Sequence, residues 1–203
     1  MATPIVSAGM AVSLDGFTAG TNQSFEHPFG DNFDVNLLRR WMFEEPERKH
    51  HIQEIEAILD AGAFIMGSNM FGPKDQRTSP SWKGWWGEAP PYHAPVFVLT
   101  HTARDPIVME GGTTFFFVTD GIESALAQAK KAAGNRNVKI AGGATTLNQY
   151  LRAGLVDELW LHVLPVTIGS GTRIFEGVPS LSLEPVAVSG TKLVTHIRYS
   201  VKK

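Results

Sequence analysis

The stretch VKIAGGATTL, residues 138–147, joins a short apolar strand to a helix through two adjacent glycines. At such a junction free backbone N–H groups and the positive end of the helix converge, and glycine lets a ligand approach the backbone closely. This pattern predicts a phosphate site, with a simple turn at the paired glycines as the alternative. The spacing matches neither G-x-G-x-x-G nor a P-loop, which favours a nucleotide site of another family. The predicted phosphate-binding residues are Gly142, Gly143, Ala144, Thr145 and Thr146.

Two β-α-β units surround this junction. Residues 114–118, 138–141 and 158–163 have the apolar character of buried strands. Helices are predicted between them, over residues 121–133 and from about Ala144 to Gly154. Strands joined in this way pair in parallel with right-handed crossovers.

The flanking segments complete the predicted fold class. Asp120 and Glu123 have the spacing of a capping box at the first of these helices. Residues 181–189 and 194–201 enclose a Gly-Thr-Lys turn and predict a terminal hairpin. The sequence therefore predicts an α/β fold whose mixed, mostly parallel sheet is flanked by helices and ends in an antiparallel hairpin.

The N-terminal half supplies more strands and a long loop. Residues 5–14, 63–66 and 96–100 are predicted strands, and the apolar spacing that follows Pro46 predicts an amphipathic helix. Residues 18–32 are rich in glycine, asparagine and phenylalanine, which predicts a loop.

The composition favours a single domain over residues 1–203. The chain is 43% hydrophobic, enough for a sizeable core. Its 18 Lys and Arg against 20 Asp and Glu argue against nucleic acid or a membrane as partner. The lack of cysteine excludes disulfides, thiolate metal sites and cysteine nucleophiles. No leader pattern or long apolar run is present, so a cytoplasmic location is expected.

Two further strand ends carry residues that suit a nucleotide. The first comprises Gly67, Ser68 and Asn69, where a second phosphate site or an ordinary helix N-cap is expected. The second comprises Thr100, His101 and Arg104, where a site for an adenosine ribose and its 2′-phosphate, or a solvated loop, is expected.

Competing chemistries find little support. No G-x-S-x-G elbow is present, which argues against a serine hydrolase. His50 and His51 are adjacent, so on a helix they point in different directions and cannot share one metal as an i, i+4 pair could. We therefore expect both histidines to be solvated and expect no metal site.

Four segments, in a fixed order, carry a family resemblance. They are MAVSLDGF at 10–17, IMG at 65–67, LTH at 99–101, and a long run from IAGG at 140–143 through VDEL at 156–159 to Pro165 and GSG at 169–171. This succession resembles the dihydrofolate reductase-like family, which includes the reductase domain of the bifunctional riboflavin-biosynthesis deaminase-reductase. The resemblance covers nearly the whole chain. It implies NADPH in an extended cleft across the strand ends, a small-molecule heterocyclic substrate and frequently a homodimer.

The resemblance also implies roles for individual residues. It places Ala11 and the turn from Asp15 to Thr18 near the nicotinamide, and Asp15 and Asp34 as the candidate catalytic carboxylates. Gly67, Ser68 and Asn69 would face phosphates of the cofactor. Thr100, His101 and Arg104 would face its adenosine end. Gly142 to Thr146 would face its pyrophosphate. The proline-broken segment 72–95 would lie beside this cleft, so Trp82, Trp85 and Trp86 are predicted to wall the substrate pocket. Padding of the core or of a dimer interface is the alternative for each indole.

The substrate side departs from the family pattern. Ala141 stands where the riboflavin reductase usually has an acidic residue, and Phe17 stands where it has a lysine. Ser68 and Met70 replace the arginine and threonine of true dihydrofolate reductases. Despite these differences, the resemblance implies an NADPH-dependent oxidoreductase that reduces a pterin- or pyrimidine-like ring. One activity in this class is that of a 5-amino-6-(5-phosphoribosylamino)uracil reductase. The alternative is a protein of the same fold that senses NADPH with little catalysis.

Overall fold

The computed structural model describes residues 4–203, which form eleven strands and five α-helices. The strands are β1 Val6–Ser13, β2 Phe17–Ala19, β3 Ala63–Gly67, β4 Pro95–Leu99, β5 Ile107–Val108, β6 Thr114–Val118, β7 Val138–Gly142, β8 Glu158–Leu164, β9 Thr172–Arg173, β10 Ser182–Gly190 and β11 Thr195–Lys202. The helices are α1 Asn36–Met42, α2 Ile52–Leu59, α3 Ser68–Phe71, α4 Ile122–Ala133 and α5 Ala144–Arg152, with short 3-10 turns at Glu47–His50 and Glu110–Gly112.

Nine of the strands form one mixed sheet in the order β10-β11-β8-β1-β7-β3-β4-β6-β5. The six strands from β8 to β6 run parallel, so their carboxyl ends meet at one edge. The hairpin of β10 and β11 adds antiparallel strands beside β8, and β5 pairs antiparallel with β6. The predicted fold class, a mostly parallel sheet with a C-terminal antiparallel hairpin, is confirmed.

Alternating residues of the strands fill the two faces of the sheet. Ile65 and Ile140 point to one face, where they pack with the apolar sides of α4 and α5. Phe64 and Met66 point to the other face, which is covered in part by the tryptophan-rich segment. On that same side, α1 and α2 lie over β8 and β11 and bury Trp41 completely.

Two local predictions differ from the structure. The capping box at Asp120 is wrong: Gly121, with a φ of +98°, is the N-cap of α4, and no side chain caps the helix. The positive φ turns the chain between Asp120 and the helix, so the carboxylate does not reach the first turn. The loop predicted over 18–32 begins with strand, because Phe17–Ala19 pairs with Thr172–Arg173.

Within residues 4–203, none of the helices has the length and apolar character that crossing a bilayer requires.

Candidate active site

Three neighbouring strands end in residues that touch one another. The carboxyl ends of β1, β7 and β3 lie side by side in the sheet. A Cβ atom built on Gly67 would lie 2.3 Å from the Thr146 Oγ1, so only glycine fits between β3 and the first turn of α5. A Cβ atom on Gly142, whose φ is +120°, would lie 2.9 Å from the Met10 Sδ. The two glycine segments that the sequence predicted separately therefore form one surface.

The β7–α5 junction leaves backbone donors free. The first helical hydrogen bonds are donated by Thr146 and Leu147 to the carbonyl of Gly143, each at 3.0 Å. The N–H groups of Ala144 and Thr145 precede these bonds, and neither has an acceptor within the part of the chain that the structure describes. A Cβ atom on Gly143 would meet nothing within 4 Å. The junction thus offers unpaired N–H groups beside open space, as an anion site requires.

A small cavity lies at the carboxyl end of β4 and holds several of the predicted cofactor residues. Ser68, Thr100 and Arg104 all line it. Arg77, which the sequence argument did not consider, supplies a second guanidinium and also donates to the Asn69 Oδ1. His101 is exposed and does not line this cavity. The structure therefore places Ser68, Thr100 and Arg104 around one cavity. Asn69 lies beside the Arg77 side chain, and His101 lies outside the cavity.

Arg104 is committed to the neighbouring segment. Its guanidinium donates to the carbonyl of Arg77 at 3.1 Å, and to those of Pro80 and Trp82 at 3.3 and 2.9 Å. It also lies 4.9 Å from the ring centroid of Phe117. Partial burial lowers the pKa of Arg104. These contacts make Arg104 the support of residues 77–82, and Arg77 the less committed cation of the pair.

The three tryptophans have different surroundings. Trp86 stacks on Phe115, with ring centroids 5.9 Å apart, and packs edge-on against Tyr92 in the core. Trp82 donates its Nε1 to the carbonyl of Phe71 at 3.0 Å. These contacts fit the alternative interpretation for Trp82 and Trp86, and a role for either in the substrate pocket stays a prediction. Trp85 makes neither contact and is the indole left for a substrate wall.

Trp85 stacks instead on a residue of the long loop after β2. Its ring lies 5.8 Å from that of Phe25, with planes 19° apart. The same loop is held at its other end by Asn32, whose amide donates to the carbonyls of Ile168 and Ser170. The segment that follows β8 and the segment that follows β3 are therefore linked by this loop. Because β1 and β7 lie between those strands, the loop crosses the edge at which the β7–α5 junction opens.

The two candidate catalytic carboxylates both make structural bonds. Asp15 accepts from the hydroxyl of Ser13 at 2.6 Å and from the N–H groups of Ile168 and Gly169, the latter at 2.7 Å. These bonds, the one from Ser13 above all, lower the pKa of Asp15 to about 2. Asp34 is exposed and accepts from the N–H of Asn36 at the start of α1. Catalytic roles for both residues stay predictions.

Two further residues predicted near the nicotinamide, Ala11 and Thr18, have different surroundings. Ala11 is half-buried on β1, directly opposite His162 of β8. Thr18 is buried, and its hydroxyl donates to the carbonyl of Thr172 at 3.2 Å. Thr18 therefore holds β2 to β9, and a place beside the nicotinamide stays a prediction for both residues.

The expectation that both adjacent histidines are solvated is wrong for His51. His50 is exposed, but His51 is 1% exposed and contacts His196, which in turn contacts His162. Burial lowers the pKa of His162 to about 3 and that of His196 to about 4. Sequence spacing gave no sign of this cluster, because its members come from a helix start and two strands.

The family model described as RibD C-terminal domain matches residues 4–197. The chain belongs to this family. The chain is also similar to two Bacillus subtilis (strain 168) proteins. YwjB, an uncharacterized protein, is 36% identical over 59 residues, which are 29% of this chain and only 33% of YwjB. YyaP, also uncharacterized, is 24% identical over 172 residues, which are 82% of this chain and 77% of YyaP.

Solved structures share the fold of this RibD C-terminal domain. A Shewanella sp. PV-4 protein named for riboflavin biosynthesis has a TM-score of 0.69 at 23% identity and covers 98% of this chain and 99% of its own. The deaminase/5-amino-6-(5-phosphoribosylamino)uracil reductase of Thermotoga maritima has a TM-score of 0.58 at 16% identity, and the match covers 98% of this chain but 57% of that enzyme. Dihydrofolate reductase from Enterococcus faecalis, complexed with NADP(H) and RAB-propyl, has a TM-score of 0.53 at 16% identity, over 98% of this chain and 97% of its own. The predicted dihydrofolate reductase-like fold is confirmed.

Proposed function

We propose that this RibD C-terminal domain is an NADPH-dependent reductase that transfers a hydride to a small pterin- or pyrimidine-like heterocycle. The observation that carries the proposal is the β7–α5 junction, where the unpaired N–H groups of Ala144 and Thr145 face open space beside Gly143. Those features suit a pyrophosphate, which needs backbone donors and close approach. Fold alone would not support this activity, because one fold hosts many functions.

The residues along the edge fit the remaining parts of the cofactor. Thr100 and Ser68 line the cavity next to the junction, where hydroxyl groups suit a ribose. Arg77 adds positive charge in that cavity, which suits a 2′-phosphate and favours NADPH over NADH. Met10, whose Sδ lies beside Gly142, offers an apolar surface for a flat ring. When bound, NADPH would supply the hydride, and the chain's own residues would hold the rings and exclude water.

The substrate side rests on the Phe25–Trp85 pair. Aromatic side chains that are not fully buried offer a face on which a flat heterocycle stacks, and this pair joins the loop that crosses the edge to the segment 72–95. A pterin or pyrimidine ring has that shape, as has the substrate in the name of the Thermotoga maritima enzyme. We propose the same class here, with the chain acting as a homodimer.

The test of the proposal is the variant Gly143→Val. Because nothing in the protein occupies the space beside Gly143, the variant should fold with an almost unchanged melting temperature. The Kd for NADPH, followed by fluorescence, should rise by more than about tenfold because close approach to the backbone is lost. The matched control is Gln149→Val, a β-branched residue at an exposed position further along α5, which should leave the Kd unchanged. An unchanged Kd in folded G143V would count against the site.

A second measurement separates a reductase from a sensor. The parent protein is mixed with NADPH and with dihydrofolate, biopterin or pyrimidine substrates, and the loss of NADPH absorbance is followed. Steady oxidation with one substrate supports the reductase. Tight NADPH binding without turnover on any of them would instead assign the chain to the NADPH-sensing alternative.

A further inference from the structure

Three histidines that lie far apart in sequence meet in the interior, away from the β7–α5 junction. His51 is at the start of α2, His162 is on β8 and His196 is on β11. They are 1%, 2% and 3% exposed. Trp41 packs on all three rings, with centroid distances of 5.0 to 5.7 Å. Three imidazoles in one buried cluster are costly unless their nitrogens have partners.

The ring nitrogens form a chain that leads to the hairpin turn. The Nδ1 atoms of His162 and His196 are 2.7 Å apart, and the His196 Nε2 is 2.9 Å from the His51 Nδ1. The His51 Nε2 lies 3.2 Å from the hydroxyl oxygen of Thr191. Along this row of hydrogen bonds, one proton must be shared between two nitrogens at the contact of His51 with His196.

A carboxylate stands beside that contact. His51 is the N-cap of α2, and Glu54 follows it by three residues in the first turn of the helix. A carboxylate oxygen of Glu54, a ring nitrogen of His51 and a ring nitrogen of His196 all lie within 4.8 Å of one another. Two imidazoles and one carboxylate are a common ligand set for zinc and for other divalent transition metals.

We propose that His51, Glu54 and His196 bind a divalent transition metal ion, Zn²⁺ being the best match, in place of the proton shared by the two imidazoles. The ligand atoms are the His51 Nδ1, the His196 Nε2 and a Glu54 oxygen. Burial holds these imidazoles neutral. The proton that leaves the contact therefore stays in the cluster: it moves to the His196 Nδ1, and the proton of His162 moves to the His162 Nε2.

Each proposed ligand already has a partner that fixes its orientation. The hydroxyl oxygen of Thr191 accepts from the His51 Nε2, which leaves the Nδ1 as the lone pair. The His196 Nδ1 donates to the His162 Nδ1, which leaves the His196 Nε2 free in the same way. Ser189 donates its hydroxyl to a Glu54 oxygen. One tautomer assignment therefore suits all three contacts and leaves three ligand atoms within 4.8 Å of one another. It also makes the His162 Nε2 a buried donor that has no acceptor within residues 4–203.

The position of the site defines what the ion would do. Glu54 and His51 belong to α2, whereas His196 belongs to β11, and Ser189 and Thr191 lie on the hairpin next to it. An ion held by these ligands would join α2 to the antiparallel end of the sheet. Glu54 is half-buried, so the fourth position faces solvent and would be filled by water. Metal binding should then stabilise the folded protein.

The experiment uses the full chain without a histidine tag, treated with chelator and dialysed. Zn²⁺ is titrated by calorimetry, Co²⁺ by visible absorption, and the melting temperature is measured with and without Zn²⁺. We expect one ion per chain, ligand-field bands from Co²⁺ and a higher melting temperature with Zn²⁺. The variant Glu54→Gln keeps the size of the side chain but removes its charge, so Zn²⁺ affinity should fall by at least about tenfold.

Two controls separate this site from a surface site. Glu56→Gln changes an exposed carboxylate on the same helix, and His50→Gln removes the exposed neighbouring histidine. Neither should alter Zn²⁺ affinity. His51→Gln should abolish binding, with folding checked by circular dichroism. The proposal is overturned if the parent binds neither ion, if Glu54→Gln binds Zn²⁺ as tightly as the parent, or if His50→Gln is the variant that loses binding.

Discussion

The β7–α5 junction and the segment of Trp82, Trp85 and Trp86 lie along the same edge of the sheet, yet they are built differently. The junction offers backbone groups: free N–H donors and a glycine with nothing beside it. The tryptophan segment is held by side chains that contact one another, Arg104 binding its carbonyls and Phe25 stacking on Trp85. A site made from backbone follows directly from the order of residues, whereas a site made from side chains depends on which partners the fold brings near.

The sharpest test of this comparison changes two neighbouring indoles to leucine. Trp86→Leu removes an aromatic ring from the packing around Phe115 and Tyr92, so the free energy of unfolding should fall by about 2 kcal/mol. Trp85→Leu removes only the outer ring, so the free energy of unfolding should change little. Its turnover should fall by roughly twofold to tenfold because stacking contributes about 0.5 to 1.5 kcal/mol.

Denaturant unfolding and steady-state kinetics of both variants check this prediction. If Trp85→Leu loses stability while keeping full turnover per folded site, the whole segment is structural. All three indoles would then serve to pack the segment, and the substrate wall would have to lie elsewhere.

A smaller effect is expected from the two arginines of the cavity at β4. Arg77→Ala should narrow the preference for NADPH over NADH by roughly tenfold, which is about 1.4 kcal/mol and close to the lower end of the about 1.5 to 3 kcal/mol that a charge-assisted bond contributes. Arg104→Ala should instead weaken both cofactors together and lower the melting temperature, because the guanidinium holds residues 77–82 in place.

The ratio of the Kd for NADH to the Kd for NADPH, measured for each variant, shows which arginine binds the 2′-phosphate. The sequence predicted the 2′-phosphate role for Arg104. A narrowed ratio in Arg104→Ala with an unchanged melting temperature would support that prediction over the assignment to Arg77. Arg104→Lys is the control, because lysine keeps the charge but cannot reach three carbonyls in one plane.

The smallest effect concerns Asp15 and acid. The pKa of Asp15 in the folded protein is about 2, below its ordinary value of 3.8. A lowered carboxyl pKa stabilises the fold above pH 3.8, and this contribution is lost as the pH falls from 3.8 towards 2. Asp15→Asn should therefore be less stable than the parent at pH 7, and the difference should shrink below pH 3.8.

Thermal unfolding of both proteins between neutral pH and pH 2 checks this sign, and turnover is measured alongside. A large fall in turnover with unchanged stability at pH 7 would favour the catalytic role that the family resemblance implies for Asp15. It would also show that bonds to Ile168 and Gly169 do not exclude a part in the chemistry.

The comparison also explains which parts of the fold and of the site could be predicted from the sequence. The strands and the junction at Gly142 and Gly143 were predictable because apolar runs and glycines act locally. The buried position of His51 was not, since its partners are on β8 and β11 and no spacing rule connects them. Asp120 failed as a cap because a single glycine with positive φ follows it. Arg77 gave no signal in a segment that proline keeps irregular.

The stacked contact between Phe25 and Trp85 has a consequence for the rate at which molecules reach the edge. The two rings meet near the crossing of the loop, and a stacked pair of this kind contributes about 0.5 to 1.5 kcal/mol. Stacking alone, at that energy, would leave roughly one chain in ten or more with the rings apart at any moment. Such a loop would exchange between two populations without disturbing the sheet, so ligand arrival would be limited by the fraction of separated rings rather than by unfolding.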